Sequence, residues 1–413
     1  MFGLRRFGIK LGLDTIGSIL NDLGNPQERF ACIHVAGTNG KGSIAAAIAS
    51  ILSASGYKTG LYTSPHLVKF NERILINNKA VSDKNFIEAY NAVKNADYGT
   101  REPTFFEFAT AMALYEFGKE GVEWAVMETG MGGRLDATNI INPKISIISN
   151  IALEHQSYLG NTIAQIAGEK GGIIKKSIPV VSGVKQESAK DVIKNIAAKH
   201  SAPLYFLGDD FQIRKTQKET FSYFGLEKEW HNMHSGLVGE HQIDNAAIAL
   251  AVCEILGSKG LNLPVSTIRE GLLNTQWPGR LEIVCKSPIV ILDGAHNLVA
   301  AKMLADYLSK NMAGKKITLV IGILDDKPYE DMLGTLIPVC SRVILTQPEI
   351  DRSLSPDKLY SVAKKITSDI TIISDVGEAV THAVDTALPE DVVCIAGSLF
   401  VVGEAKKVLD QRF

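Results

Sequence analysis

The stretch Gly37-Thr38-Asn39-Gly40-Lys41-Gly42-Ser43 sets glycines, a lysine and two hydroxyls within a few positions. Small residues let backbone N–H groups curl around phosphate oxygens. Lys41 can reach the outer phosphates of a nucleotide, and the Ser43 hydroxyl can meet a magnesium ion. The general phosphate-loop pattern has a Gly where this chain has Val35, and a Ser or Thr where it has Gly42. A chance glycine turn has the same composition, so the flanks decide. An apolar run over 30–35 reads as a buried strand, and an Ala-rich run over 44–52 reads as a helix. Strand, glycine turn, lysine and helix together predict an ATP site.

Other reactive residues follow other apolar runs. In an open parallel sheet, ligands gather outside the carboxyl ends of the strands. A strand predicted over 59–62 runs into Thr63-Ser64-Pro65-His66. One over 123–127 runs into Glu128-Thr129-Gly130-Met131-Gly132-Gly133-Arg134-Leu135-Asp136, and one over 145–151 into Glu154-His155. Glu128 is a natural magnesium ligand because the ion prefers oxygen. His155 is a second candidate, or a structural histidine. Gly130, Gly132 and Gly133 make a turn or a close approach to a ligand. Asp136 is a ligand-facing carboxylate or an N-cap. Lys170 lies in a helix that returns to this edge, where it is a site residue or a solvated lysine. Asn245 reads as the polar start of an apolar helix.

The elements behind these residues alternate between strand and helix, which predicts an α/β fold with mostly parallel sheets. Helices are expected over 105–117, over 162–174 with an interruption at Gly171-Gly172, and over 244–256 with Gly257 at the end. A small antiparallel insert is expected over 211–230. After Trp277-Pro278-Gly279-Arg280 a second series begins, with strands near 289–293, 317–323, 342–346, 370–374 and 391–396. Helices between them start near Asn297, Tyr329, Pro356 and Gly377. This is a Rossmann-like unit. The expected domains are 1–284 and 285–413. In the second, Asp293-Gly294-Ala295-His296-Asn297 and Gly397-Ser398-Leu399 follow strands. Two reactive edges suggest a site in a cleft between domains.

Composition narrows the function classes. Lys and Arg total 43 against 45 Asp and Glu, which gives no electrostatic case for nucleic acid or an anionic membrane. The five cysteines form no C-x-x-C pair, so buried reduced thiols in a cytoplasmic protein are expected. No apolar run has the length of a membrane span, and 1–10 lacks the apolar region of a signal peptide.

The ordered motifs resemble the bacterial folylpolyglutamate synthase and dihydrofolate synthase family of the Mur ligase superfamily. They are Ala36 to Ser43, Thr63 to Leu67 with Glu72-Arg73-Ile74, Glu128 to Asn139, Glu154-His155 with Leu159-Gly160, Glu169-Lys170, Trp277 to Leu281, Asp293 to Asn297 and Gly397-Ser398-Leu399. The resemblance implies a phosphate-loop ATPase domain of the Mur central type and a smaller glutamate-ligase domain. It implies an ATP-dependent amide ligase that adds L-glutamate to dihydropteroate and to reduced folates through an acyl phosphate, acting as a monomer.

By the same resemblance Gly37 to Ser43 hold phosphates, and Ser64, Glu128 and His155 hold magnesium. Lys170 corresponds to a carbamylated lysine at a second magnesium. Asn245 contacts adenine, Arg280 the phosphates and Asp293 the nucleotide, while His296 and Ser398 lie near glutamate. Lys41, Lys170 and His296 are the expected catalytic residues. Ile9, Lys10, Leu11, Gly12, Arg73, Thr104, Leu135, Asp136 and Ala137 correspond to the substrate side. Glu154, Gln156 and Gly171 replace the Asp, Thr and Ala usual in relatives.

Three other readings are open. Leu11-Gly12-Leu13 and Asp136 resemble the bifunctional type, against a folylpolyglutamate synthase alone. A Mur ligase on a cell-wall precursor carries a domain before the phosphate loop, where only 36 residues precede Gly37. A non-catalytic ATP-binding relative can lose metal ligands, whereas Lys41, Glu128, His155 and Lys170 are all present here.

Overall fold

The computed structural model describes residues 12–216 and 220–413. Ile9, Lys10 and Leu11, expected on the substrate side, lie outside the described residues. The chain divides into two compact units. The first comprises residues up to Pro65, Asn71–Gly236 and Gln242–Gln276. The second comprises His66–Phe70, Leu237–His241 and Trp277–Phe413.

The first unit is built on β1 (Ala31–Ala36), β2 (Thr59–Tyr62), β3 (Ile74–Ile76), β4 (Lys79–Ala80), β5 (Trp124–Glu128), β6 (Ile145–Ile148), β7 (Val180–Ser182) and β8 (Leu204–Phe206). They form one sheet in the order β4-β3-β2-β5-β1-β6-β7-β8. β2 through β8 along that order are parallel, and β3 and β4 are antiparallel additions. Helices cover central parallel strands on both faces, so such strands read as unbroken apolar runs. β1, β5 and β6 are buried along nearly their whole length for this reason.

Helix Lys41–Ala54 follows β1, and its residues from Ser43 to Leu52 are all buried. The missing side chain of a glycine lets a second helix come close. A Cβ on Gly271, in helix Val265–Leu273, would lie 2.4 Å from Ile51 Cα. The Ser50 hydroxyl donates to Gly271 O across this contact at 2.7 Å.

β9 (Gln212–Lys215), β10 (Thr220–Phe224) and β11 (Glu229–His234) form the expected antiparallel insert. It is tied to helix Glu240–Ser258 by buried Glu254. That carboxylate accepts from the Leu226, Glu227 and Lys228 amides and from the Tyr223 hydroxyl, at 2.6–3.0 Å.

The second unit holds β12 (Glu282–Lys286), β13 (Ile289–Leu292), β14 (Ile317–Ile321), β15 (Arg342–Leu345), β16 (Ile370–Ile372) and β17 (Val392–Ala396). Their order is β12-β13-β17-β14-β15-β16, parallel except for β12. Apolar clusters lie on both faces of this sheet.

Four expectations change. β12 was not foreseen, because Glu282-Ile283-Val284-Cys285-Lys286 is a mixed edge strand with Ile283 exposed. The boundary expected at 285 therefore falls inside the β12–β13 pair, and the contacts divide between Gln276 and Trp277. β6 stops at Ile148 rather than Ile151. Helix Glu240–Ser258 starts earlier than expected and passes through Gly257, so Asn245 lies inside it rather than at its start.

Candidate active site

The phosphate loop is held by the segment after β6. The Thr38 amide donates to Asn150 O at 2.9 Å, and the Asn39 amide to Asn150 Oδ1 at 2.9 Å. The Ser149 hydroxyl donates to Asn39 O at 2.7 Å. The Thr38 hydroxyl pairs with the backbone of Ala152. Gly37 has φ +150°, and a Cβ there would fall 1.8 Å from Ser149 Oγ. Gly40 has φ +81° and precedes helix Lys41–Ala54. Only glycine adopts that backbone freely, and a Cβ there would meet the Asn245 carboxamide oxygen at 2.6 Å. Amides of Lys41, Gly42 and Ser43 open the helix, where no residue of the same helix accepts from them. The result is an anion-binding turn with a buried Ser43 behind it.

Two lysines converge on this loop. Lys41 Nζ donates to Gly37 O and Thr38 O, both at 3.1 Å. Lys170 Nζ donates to Gly37 O at 2.7 Å. Lys170 is 4% exposed, and burial, reinforced by the Lys41 charge, lowers its pKa to about 7. Its carrier, helix Ile163–Gly171, begins with a Thr162–Gln165 capping box and ends at the glycines read as an interruption. The solvated alternative for Lys170 is thus set aside.

β5 ends at Glu128, which is buried. One of its oxygens accepts from the Ser64 amide at 3.1 Å, so the ends of β5 and β2 bring these two residues together. His155 has φ +52° and precedes the short helix Gln156–Leu159. Its Nε2 lies 4.0 Å from the Glu154 carboxylate, with the side chain about a third exposed. A buried carboxylate and a hydroxyl suit a hard cation such as magnesium. Among the described residues no three His, Cys, Asp or Glu side chains converge as a metal site. A cation here would therefore draw on hydroxyl and ligand oxygens as well.

The glycine-rich loop after β5 docks on the Lys170 helix. The Arg134 amide donates to Glu169 O, and the Arg134 side chain pairs with the Glu169 carboxylate at 2.9 Å. A Cβ on Gly133 would lie 2.8 Å from both Glu169 O and Lys170 O. Asp136 is buried and caps the turn Ala137–Ile140. Its oxygens accept from the Met131 amide at 2.9 Å, the Thr138 amide at 3.0 Å and the Thr138 hydroxyl at 2.5 Å. Burial raises its pKa, against these hydrogen bonds. The capping alternative for Asp136 is thus realised. Leu135 is part-exposed and Ala137 buried on the same loop. Gly12 is part-buried. Arg73 is buried, with its guanidinium over the Phe105 ring. Thr104 caps helix Phe105–Glu120 through a capping box with Glu107.

In the second unit, Asp293 follows β13. It accepts from the Leu281 and Ala295 amides, both at 2.9 Å. Burial raises its pKa, opposed chiefly by Arg280. Arg280 lies over Gly294, where a Cβ would meet its guanidinium at 2.1 Å. The His296 ring nitrogen Nδ1 pairs with Gly294 O at 2.8 Å. Ser398, buried after β17, caps helix Leu399–Arg412 by accepting from the Val401 amide at 3.1 Å. One turn thus gathers Arg280, Asp293 and His296.

Sequence reasoning missed Ser149, Asn150, Thr138 and Glu254. Ser149 and Asn150 carried a usable signal, as the first polar residues after an apolar parallel strand. The contact of Thr138 with His34 and those of Glu254 carried none, because the partners are remote in sequence.

The Mur ligase middle domain matches residues 35–253, and the Mur ligase glutamate ligase domain matches 279–399. The dihydrofolate synthase/folylpolyglutamate synthase of Bacillus subtilis is 35% identical, covering 98% of this chain and 97% of that protein. The structure of Escherichia coli FolC in complex with DHPP and ADP superposes with a TM-score of 0.91 at 31% identity, covering 99% of this chain and 96% of that one. The bifunctional Yersinia pestis enzyme complexed with AMPPNP and a manganese ion gives 0.89 at 30% identity, with 99% and 96% coverage. With its phosphate loop, paired lysines and second-unit turn, the chain belongs to the Mur ligase family, among its dihydrofolate synthase/folylpolyglutamate synthase members.

Proposed function

We propose that the protein is an ATP-dependent ligase that joins L-glutamate to dihydropteroate and to reduced folates. The observation that carries this reading is the meeting of Lys41 and Lys170 on the Gly37 carbonyl, beneath a turn of open amides. Phosphoryl transfer needs positioning and charge neutralisation more than covalent catalysis. Lys41 and the amides at Gly40 to Ser43 hold the β- and γ-phosphates. The γ-phosphoryl passes to a carboxylate oxygen of the pterin substrate as its bond to ADP breaks. The amine of glutamate attacks the resulting acyl phosphate, loses a proton, and inorganic phosphate leaves.

Ser64, Glu128 and His155 would hold one magnesium ion, and a carbamylated Lys170 a second. Bound there, magnesium supplies positive charge to the phosphoryl oxygens. The nucleotide and manganese in the Yersinia pestis complex, and the ADP in the Escherichia coli complex, support a nucleotide and a divalent cation here. Carbamylation suits Lys170 because a neutral amine adds to the CO2 carbon and releases one proton to solvent, and the carbamate keeps one N–H for Gly37 O. Asn245 is assigned to adenine, Arg280 and Asp293 to the nucleotide, and His296 and Ser398 to the glutamate side. Gly12, Arg73, Thr104, Leu135, Asp136 and Ala137 are assigned to the pterin substrate.

Dihydropteroate and tetrahydrofolate, each with ATP and glutamate, test the reading. Each should gain one glutamyl mass per ADP released. ADP release independent of glutamate, with no new product, would overturn it.

A further inference from the structure

His34 stands on β1, three residues before Gly37, and is fully buried. None of the chemistry above uses it. Its Nε2 lies 2.8 Å from Thr138 Oγ1. Thr138 Oγ1 in turn donates to Asp136 Oδ1 at 2.5 Å. A threonine hydroxyl has one hydrogen. With that hydrogen on Asp136, the His34 contact joins two acceptors unless Nε2 carries its own proton. The chain is therefore His34 Nε2–H to Thr138 Oγ1, and Thr138 O–H to Asp136. Every other group on Asp136 is an amide donor, which agrees with an acceptor carboxylate. Nδ1 is left bare, and it has no partner among the described residues. Burial, with the nearby Lys175 charge, lowers the imidazole pKa to about 3, so the ring is neutral.

These contacts close a ring through the first unit. From Gly37 it runs to Lys170, then along helix Ile163–Gly171 to Arg134 on the docked loop. From there it passes to Asp136, Thr138 and His34, and back along β1 to Gly37.

We infer that His34 is a positioning residue, which through Thr138 locks the Asp136 loop to the strand that carries the phosphate loop. The inference rests on the reading that this loop faces the pterin substrate. A carboxyl group must sit within reach of a fixed γ-phosphoryl, so the loop's position relative to β1 sets productive binding. Removing the relay should weaken pterin binding while the phosphate loop, held separately by Ser149 and Asn150, keeps its grip on ATP.

Thr138→Val keeps the side-chain volume and removes the hydroxyl, and Thr138→Ser keeps the hydroxyl. His34→Leu removes the donor, and His34→Gln retains one. In Thr138→Val and His34→Leu the KM for dihydropteroate should rise about tenfold, the scale of one hydrogen bond. The KM for ATP should stay within about twofold of the wild type by the same argument. The double variant should lose no more than either single one. Thr138→Ser and His34→Gln should recover most of the KM.

A readout free of activity runs beside this. In the unliganded wild type, 15N-histidine spectra should show a neutral imidazole protonated at Nε2. Amide exchange at Met131 and Thr138 should quicken in Thr138→Val. Should His34→Leu fail to fold, the Thr138 pair and the wild-type spectra decide alone. A ring protonated at Nδ1, equal rises in both KM values, or additive losses would overturn the inference. A wild type that makes no glutamyl product while showing the Nε2 tautomer and the exchange change would overturn the assigned reaction instead, and leave the relay standing.

Discussion

Lys41 and Lys170 donate to one oxygen, the Gly37 carbonyl, at 3.1 and 2.7 Å. Two ammonium groups on one acceptor repel each other, and the buried partner yields. Burial first, and this repulsion second, lower the Lys170 pKa to about 7, whereas Lys41 is only part-buried.

Lys41→Ala should lower kcat by about 100- to 1000-fold, the scale of removing one preorganised charge from a developing oxyanion. The melting temperature should hold or rise, since the change leaves the loop clasp intact and relieves Lys170. Near wild-type turnover would remove Lys41 from the phosphate site.

Lys170 should be carbamylated in a pH-dependent way. Its pKa falls from 10.5 to about 7, so the neutral amine is present above pH 7 and protonated below. At fixed dissolved CO2, the 13C carbamate signal should grow through pH 7 and level off. The stability linkage in the absence of CO2 has the same sign. Below pH 7 the cost of burying the charge is fully present, and it is relieved from pH 7 to 10.5, where the unfolded chain binds the extra proton. The wild type should therefore gain stability relative to Lys170→Met over that window. A flat difference would show that the amine is not buried as a charge.

Asp136→Ala should lower stability by about 1–3 kcal/mol, because it removes a cap and leaves buried amides unpaired. It should also reduce kcat/KM for dihydropteroate more than for tetrahydrofolate, whose glutamate tail would offer other anchoring groups. Paired kinetics and melting curves measure both effects. Equal kinetic losses with a lowered melting temperature would leave Asp136 a cap alone.

Glu254→Ala should free the turn at Leu226–Lys228 from its helix, at a cost of about 3 kcal/mol given several charge-assisted bonds to one carboxylate. Glu254→Gln should rescue little. Its amide hydrogens would face N–H donors on at least one side. Amide exchange at Glu227 and Lys228 reads the effect directly, and unchanged protection in either variant would refute the tether.

Much of the fold was legible because buried parallel strands leave continuous apolar runs, and the polar residues proposed for the site stand just beyond them. β2 falls where its residues predict, Glu128 and Asp293 stand at strand ends, and Lys41 opens the helix after the glycine turn that follows β1. β12 was illegible because an edge strand with one wet face reads as a linker. The start of helix Glu240–Ser258 was hidden by its polar first turn. The cap by Ser398 depends on a backbone partner, which composition does not reveal.

The clasp on the phosphate loop has a thermodynamic consequence. Thr38 and Asn39 already spend their amides on Asn150, and helix Lys41–Ala54 is pinned beneath them by Gly271. A nucleotide bound there, as proposed, would meet a turn whose backbone dihedrals are set before it arrives, so little chain entropy would be lost on binding. Calorimetry of ATP analogues should then show a heat-capacity change no larger than the area of the ligand's own contact predicts, with no added contribution from folding of the loop.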